Sequence, residues 1–378
     1  MGLAVESTVN RVLRIGSVSL DAPYALAPMA GMTDTAFRRL VKRRGGCGLV
    51  VTEMVSSEGL VRGIDRTLEH AEYTEEERPV SIQIFGGDPV TMAEAAQIVE
   101  GMGADIIDVN MGCPVRKIAK HQAGCSLMRT PEHAATVVSA MTGAVSIPVT
   151  VKMRAGWDDD HVNAPMMASL MEQSGAAGVA VHGRTAKQSY TGRSDWGLID
   201  EVARCVSIPV FGSGDCIAPE DVVARLKETA VAGVLVGRGA LRNPWIFEQA
   251  ERLAQGGAKG SVAPIERGCF LLAYIDLLLT EGTSEAHGFR HRATPASEAG
   301  TPRRGAASRE RWVVNKVRAL GSWYTKGIDN GSRLRTAINH AGSIDELRIV
   351  IHDFFGAAEE LPLAFPNGAH KIVETGGL

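Results

Sequence analysis

Residues 105–128 begin as an apolar run, break at Gly112-Cys113-Pro114 and continue through Arg116, Lys117, Lys120 and His121. A thiol is thereby set just past a predicted strand end, beside basic or titratable side chains that suit chemistry on an anion. Free cysteines often serve as small buried hydrophobes, so three roles stay open for Cys113. It is packed filler, a nucleophile with a lowered pKa, or a general acid that keeps its proton. An unperturbed thiol, with a pKa of about 8.5, serves the acid role at neutral pH. Cys125, followed shortly by the apolar pair Leu127-Met128, reads as packed.

Strand alternation puts Lys152 and Arg154 on one side of the backbone. An inward lysine is costly unless it meets an anion. It either snorkels to solvent or stands beside an electron-rich cofactor and stabilises charge when that cofactor is reduced. His182 and Arg184 end another apolar run, where a histidine is either a satisfied core residue or a ligand-facing donor; the strand-end position favours the donor. Gly212-Ser213-Gly214-Asp215 and Gly237-Arg238-Gly239 follow two further runs. Glycine admits close backbone approach, and exposed N–H groups there cradle phosphate.

These residues need a frame. Apolar runs rich in Val and Ile occupy residues 24–28, 48–52, 80–85, 105–110, 147–153, 178–182, 208–212 and 233–237. Continuous rather than alternating hydrophobicity marks strands covered on both faces, as in a parallel sheet. Helical spacing fills 33–43, 90–102, 132–141, 164–174, 198–205, 219–226 and 241–253. Eight such units in series predict a (β/α)8 TIM barrel, preceded by a small strand pair at 12–20. The rival, an open doubly wound sheet, lacks a GxGxxG after its first strand. Barrel enzymes build their sites at the C-terminal strand ends and bind phosphate after strands seven and eight. The polar residues named above fall on that face.

Beyond residue 256 the pattern changes to helices at 265–280, 312–324, 334–340 and 344–355, so a barrel domain over 1–256 and a smaller C-terminal helical domain over 257–378 are expected. Residues 285–310 hold Phe289 as their one large apolar side chain, and a flexible insertion is expected there. Between 311 and 340 lie Arg311, Lys316, Arg318, Lys326, Arg333 and Arg335 against Asp329 alone, interleaved with Trp312, Trp323 and Tyr324. That composition suits phosphate contacts and base stacking; the bland alternative is a solvated helix face.

The whole chain, at net charge −3, exerts no general pull on nucleic acid, so such binding rests on this local patch. Six cysteines without CxxC spacing suggest neither a zinc cage nor a disulfide framework, and a reducing cytoplasm is expected. No signal peptide or membrane-spanning run is evident, and nothing calls for an obligate protein partner.

The ordered motifs 27–34 (Ala-Pro-Met-Ala-Gly-Met-Thr-Asp), 52–54 (Thr-Glu-Met), 83–86 (Gln-Ile-Phe-Gly), 110–114 (Asn-Met-Gly-Cys-Pro), 152–154 (Lys-Met-Arg), 182–185 (His-Gly-Arg-Thr) and Gly237-Arg238 resemble the tRNA-dihydrouridine synthases, closest to the bacterial B type. A weaker echo stands at 323–327. The resemblance implies an FMN enzyme that uses NADPH to reduce the C5–C6 bond of particular uridines in tRNA. Hydride would reach C6, and Cys113 would protonate C5. Pro28, Met29, Gln83, Lys152 and His182 would contact the flavin, with Ser213, Gly214, Asp215, Gly237 and Arg238 at its phosphate end. Asn110, Arg154 and Arg184 would face the uracil; Arg116, Lys117 and Lys120 the nearby RNA backbone; Arg318 and Lys326 the tRNA body. Ser213 stands where the family usually has Asn, and Arg318-Ala-Leu where it usually has Arg-Lys-His. The competing readings are an FMN barrel oxidoreductase acting on a small molecule, like dihydroorotate dehydrogenase or old yellow enzyme, and a non-catalytic RNA-binding flavoprotein.

Overall fold

The computed structural model describes residues 13–115, 118, 122–283, 285–293 and 306–356. Among these, eight parallel strands close a TIM barrel: β1 Tyr24–Leu26, β2 Leu49–Val51, β3 Val80–Phe85, β4 Ile106–Met111, β5 Val149–Arg154, β6 Gly178–His182, β7 Val210–Ser213 and β8 Gly233–Val236. Each lies on one of the eight apolar runs. Successive strands pair side by side, and Val234 opposite Tyr24 joins β8 to β1. Valine and isoleucine dominate because helices cover the outer face while side chains from opposing strands fill the inside.

Inside, Ala25, Leu49, Val51, Ile106, Phe211 and Leu235 pack with Ile15 and Leu20 of the expected small hairpin, Leu13–Ile15 and Val18–Leu20. Ile15 lies against Gly178 at the start of β6, so the hairpin plugs the N-terminal end and leaves the other mouth for chemistry. Register then decides which polar residues meet there. Gln83 pairs with Asp108, Asn110 with Lys152, and His182 with both Arg154 and Ser213.

Some expectations need correction. The helix expected at 241–253 is two helices, Arg238–Arg242 and Ile246–Ala254, because Pro244 cannot continue the first. Between β2 and β3, where no helix is expected, Ser57–Val61 and Asp65–Ala71 are helical and too short to show a period.

Within the span expected to be a flexible insertion, residues 285–293 and 306–310 are described. Arg290–His291 pairs antiparallel with Tyr73–Thr74, Arg39 lies 5.2 Å over the Phe289 ring, and the next helix begins at Ala306. Buried charge does here what apolar area does elsewhere: Arg290 meets Glu285 at 2.5 Å, Glu72 at 3.6 Å and Glu281 at 3.9 Å. A count of apolar residues is blind to such pairing. Residues 294–305 lie outside the described residues.

Helices Pro264–Thr280, Ala306–Tyr324, Gly331–His340 and Ile344–Phe355 form the C-terminal helical unit. Phe270 seats it on the barrel, edge-on to Phe37 at 6.1 Å and 5.5 Å from Trp245, while Tyr324 stacks behind at 5.7 Å. Among the described residues no helix is long and apolar enough to cross a membrane.

Candidate active site at the barrel mouth

Strand β4 delivers Asp108 and Asn110 to the barrel interior and ends in the turn that carries Cys113. Asn110 Oδ1 accepts the N–H of Gly112 at 3.2 Å and of Cys113 at 2.9 Å, while its Nδ2 donates to Gln83 Oε1 at 2.7 Å. Gln83 Nε2 donates to Asp108 Oδ2 at 2.6 Å, and Thr150 Oγ1 donates to Asp108 Oδ1 at 2.7 Å. Asn110, expected to face a substrate, is thus also the brace of the cysteine turn. Arg154 Nε holds the Gly112 carbonyl at 2.8 Å from the far side.

The Cys113 thiol is half-buried. Burial pushes its pKa up; a backbone hydrogen bond from Val115 and the charges of Arg154 and Lys152 offset only part of this. The group is a thiol at neutral pH, which disfavours the nucleophile and suits a proton donor. Cys125 is buried, as expected of a packed residue, and its N–H donates to the Cys113 carbonyl at 3.1 Å.

Positive charge crowds the same mouth. Burial and Arg154 push Lys152 down to about 8, with Asp108 and Cys113 pulling the other way. Burial together with Lys152, Arg154, Arg184 and Arg238 pushes His182 down to about 2, so the imidazole is neutral. Among the described residues no salt bridge neutralises Lys152, leaving an ammonium with donors to spare beside Pro28 in the cavity that runs down the barrel axis.

The two arginines expected to face substrate are largely committed elsewhere. Arg154 Nη1 donates to the carbonyls of Thr185 and Ser189 at 3.1 and 3.0 Å. Arg184 is buried; it donates to the carbonyls of Thr191 and Gly192 and to both oxygens of Asp215 at 2.8 Å. Asp215, expected at a phosphate, also accepts the Ser194 N–H at 2.8 Å and lies 3.4 Å from Arg238. Burial would raise its pKa, yet Ser194, Arg184 and Arg238 hold it below the usual range. Its carboxylate is paired with both arginines.

The loop these arginines grip presents Tyr190, 61% exposed, with its ring 5.9 Å from Arg154 and 4.9 Å from Arg238. The sequence reading misses it, since one tyrosine in a polar loop carries no local signal. Gly214 has φ +125°, and a Cβ there would strike Ser194 Oγ. Among the described residues the N–H groups of Gly214, Gly237 and Arg238 make no hydrogen bond. Together with Ser213 and the Arg238 guanidinium they form a donor set suited to phosphate. Met29 closes on this loop, its sulfur 3.4 Å from where a Gly237 Cβ would lie. The β1 turn thereby meets the β8 turn.

Not all expected residues gather here. Arg116, Lys117 and Lys120 lie outside the described residues. Arg318 and Lys326 sit on the helical unit. Arg318 Nη2 donates to the Ala341 carbonyl at 2.8 Å, and Lys326 Nζ lies 4.0 Å over the Trp323 ring. Lys316, grouped by composition with the outward basic patch, turns inward to the barrel.

The family model for dihydrouridine synthases (Dus) matches residues 25–295, from β1 to just past the Arg290–His291 strand. The chain belongs to the dihydrouridine synthase family. Its likeness to tRNA-dihydrouridine synthase B of Pseudomonas aeruginosa is 40% identity over 344 residues, 91% of this chain and 96% of that one. The protein of the same name from Xanthomonas axonopodis pv. citri is 36% identical over 345 residues, with 91% and 96% covered. Morphinone reductase, a solved structure, overlays with a TM-score of 0.47 at 14% identity, covering 65% of this chain and 89% of that one. The dihydrouridine synthase relatives thus extend over the helical unit as well as the barrel.

Proposed function

We propose that this chain is an FMN-dependent tRNA-dihydrouridine synthase that draws its electrons from NADPH. The observation that carries the reading is the half-buried, protonated Cys113, braced by Asn110 and Arg154 at a mouth rich in cations.

The spare Lys152 ammonium and the unpaired N–H groups of Gly214, Gly237 and Arg238 fit a flavin with a phosphate tail. Lys152, Gln83, His182, Pro28 and Met29 are assigned to its ring end, and Ser213, Gly214, Gly237 and Arg238 to its phosphate end. Bound there, FMN would supply hydride chemistry at uracil C6, with the two electrons drawn from NADPH. Cys113 gives its proton to C5, so H⁻ and H⁺ add across the C5–C6 bond, and the thiolate recovers a proton from solvent. Lys152 would stabilise negative charge beside it. Neutral His182 donates without adding charge.

The barrel over 1–256 is assigned the chemistry and residues 257–378 the grip on tRNA, with Arg318 and Lys326 on the tRNA body and Arg116, Lys117 and Lys120 near the flipped base. The test is direct. Purified protein should carry FMN and, with NADPH, form dihydrouridine in unmodified tRNA. Protein that takes up no FMN, or whose reduced flavin reoxidises as fast with free uridine or orotate as with tRNA, contradicts the reading.

A further inference from the structure

The Ala306–Tyr324 helix sends Lys316 across to the barrel mouth. Its Nζ donates to the Gly31 carbonyl at 3.0 Å and pairs with Asp34 at 3.0 Å and Glu53 at 3.4 Å. The other Glu53 oxygen accepts the Gly31 N–H at 2.6 Å. One residue of the β1 turn is therefore held at both polar atoms, by a carboxylate after β2 and by an ammonium from the helical unit.

Gly31 is the tip of that turn, with φ +79°. The N–H groups of Met32 and Thr33 fold back onto the Met29 carbonyl at 3.0 and 3.1 Å, and the Met29 N–H donates to Thr33 Oγ1 at 3.0 Å. What fixes Gly31 thus fixes Pro28 and Met29. We propose that Lys316 is a positioning residue through which the helical unit sets the Pro28 and Met29 limb of the β1 turn, linking RNA docking to alignment of the cofactor site.

Two observations set this apart from an ordinary staple between units. The interface already holds through Phe270 and through the Tyr274 hydroxyl, which donates to Asp34 at 2.8 Å. A further buried ion pair adds little net stability, because desolvation offsets attraction, but it does fix geometry. Trp312 lies one turn earlier on the same helix, 5.6 Å from Lys316 Nζ, and Arg309 lies 4.7 Å over its ring. RNA that engages this helix acts within a turn or so of the Lys316 contact. Burial alone would lower the Lys316 pKa; Asp34 and Glu53 raise it above its ordinary value, so the ammonium stays charged.

The inference rests on the helical unit engaging tRNA. It is tested in full-length, FMN-loaded protein with Lys316→Met and Lys316→Arg, measuring tRNA Kd, the anaerobic oxidation of reduced flavin at saturating tRNA, and the visible circular dichroism of the oxidised flavin. Lys316→Met should bind tRNA within about twofold of wild type while oxidation slows at least about tenfold, since small misplacements at a reacting centre are expensive. Its flavin band should change, and Lys316→Arg should restore both. A wild-type oxidation rate, or a loss confined to tRNA affinity with an unaltered flavin band, overturns the proposal. Should Lys316→Met fold poorly, Lys316→Ala, which removes the donor to Gly31 and suits a helix, is judged by the same criteria. Failure of the wild-type protein to bind tRNA would overturn the functional reading instead, and the flavin band of Lys316→Met still decides the positioning claim.

Discussion

The N–H of Cys113 and the side-chain carbonyl of Asn110 lie 2.9 Å apart, and Asn110 is in turn aimed by its donation to Gln83 at 2.7 Å. The turn that carries the thiol is therefore held by a chain of amides, with Arg154 on the Gly112 carbonyl.

Removing that brace should harm rate more than binding. Asn110→Ala is expected to keep FMN and lower kcat on tRNA by about 10- to 100-fold, the loss typical of a misplaced reacting group. Steady-state kinetics with unmodified tRNA check it; an unchanged kcat would mean that the Gly112 turn holds itself.

Lys152 makes cofactor affinity depend on pH. It titrates at about 8 in the ligand-free protein, and a phosphate-bearing, electron-rich ligand favours its protonated form, raising the bound-state pKa. FMN affinity from this residue is then full below about pH 8 and declines as pH rises towards the bound-state value, by at most about tenfold per pH unit. Fluorescence titrations of FMN should show this decline in wild type and a flatter profile in Lys152→Met. An equal slope in both would remove Lys152 from the ring end of the site.

The Arg290 cluster predicts a stability effect far from the chemistry. Arg290→Met leaves Glu72, Glu281 and Glu285 without their shared cation. Loss of one partner from a buried ion pair costs about 3–5 kcal/mol. Each carboxylate keeps another arginine, Arg292 for Glu72, Arg309 for Glu281 and Arg39 for Glu285, and Glu281, already pushed up to about 7 by burial, takes up a proton, so a smaller loss of about 1–3 kcal/mol is expected. Urea denaturation measures it, and an unchanged midpoint would restore the expectation of a loose insertion.

The barrel was legible because burial on both faces writes unbroken Val and Ile into all eight strands, and strand ends point to Cys113, Lys152 and His182. What a one-dimensional reading misses is where donors go. Arg154 and Arg184 look identical in sequence whether they reach a ligand or the carbonyls of the next loop. Lys316 reads as one more member of a basic patch because helix phase against the barrel is a tertiary fact. Asp108 and Thr150 hide inside strands, and their link to Gln83 follows from register alone. Residues 285–293 are held by ion pairs, which no local apolar count contains.

The central claim is that Cys113 is the proton donor to C5. With flavin reduced anaerobically by NADPH and then mixed with unmodified tRNA, wild type and Cys113→Ala should reduce their flavin at equal rates. Oxidation by tRNA should then fall about 10²- to 10⁴-fold in Cys113→Ala, the usual contribution of general acid catalysis. Oxidation at the wild-type rate, with dihydrouridine formed in the tRNA, would contradict the account.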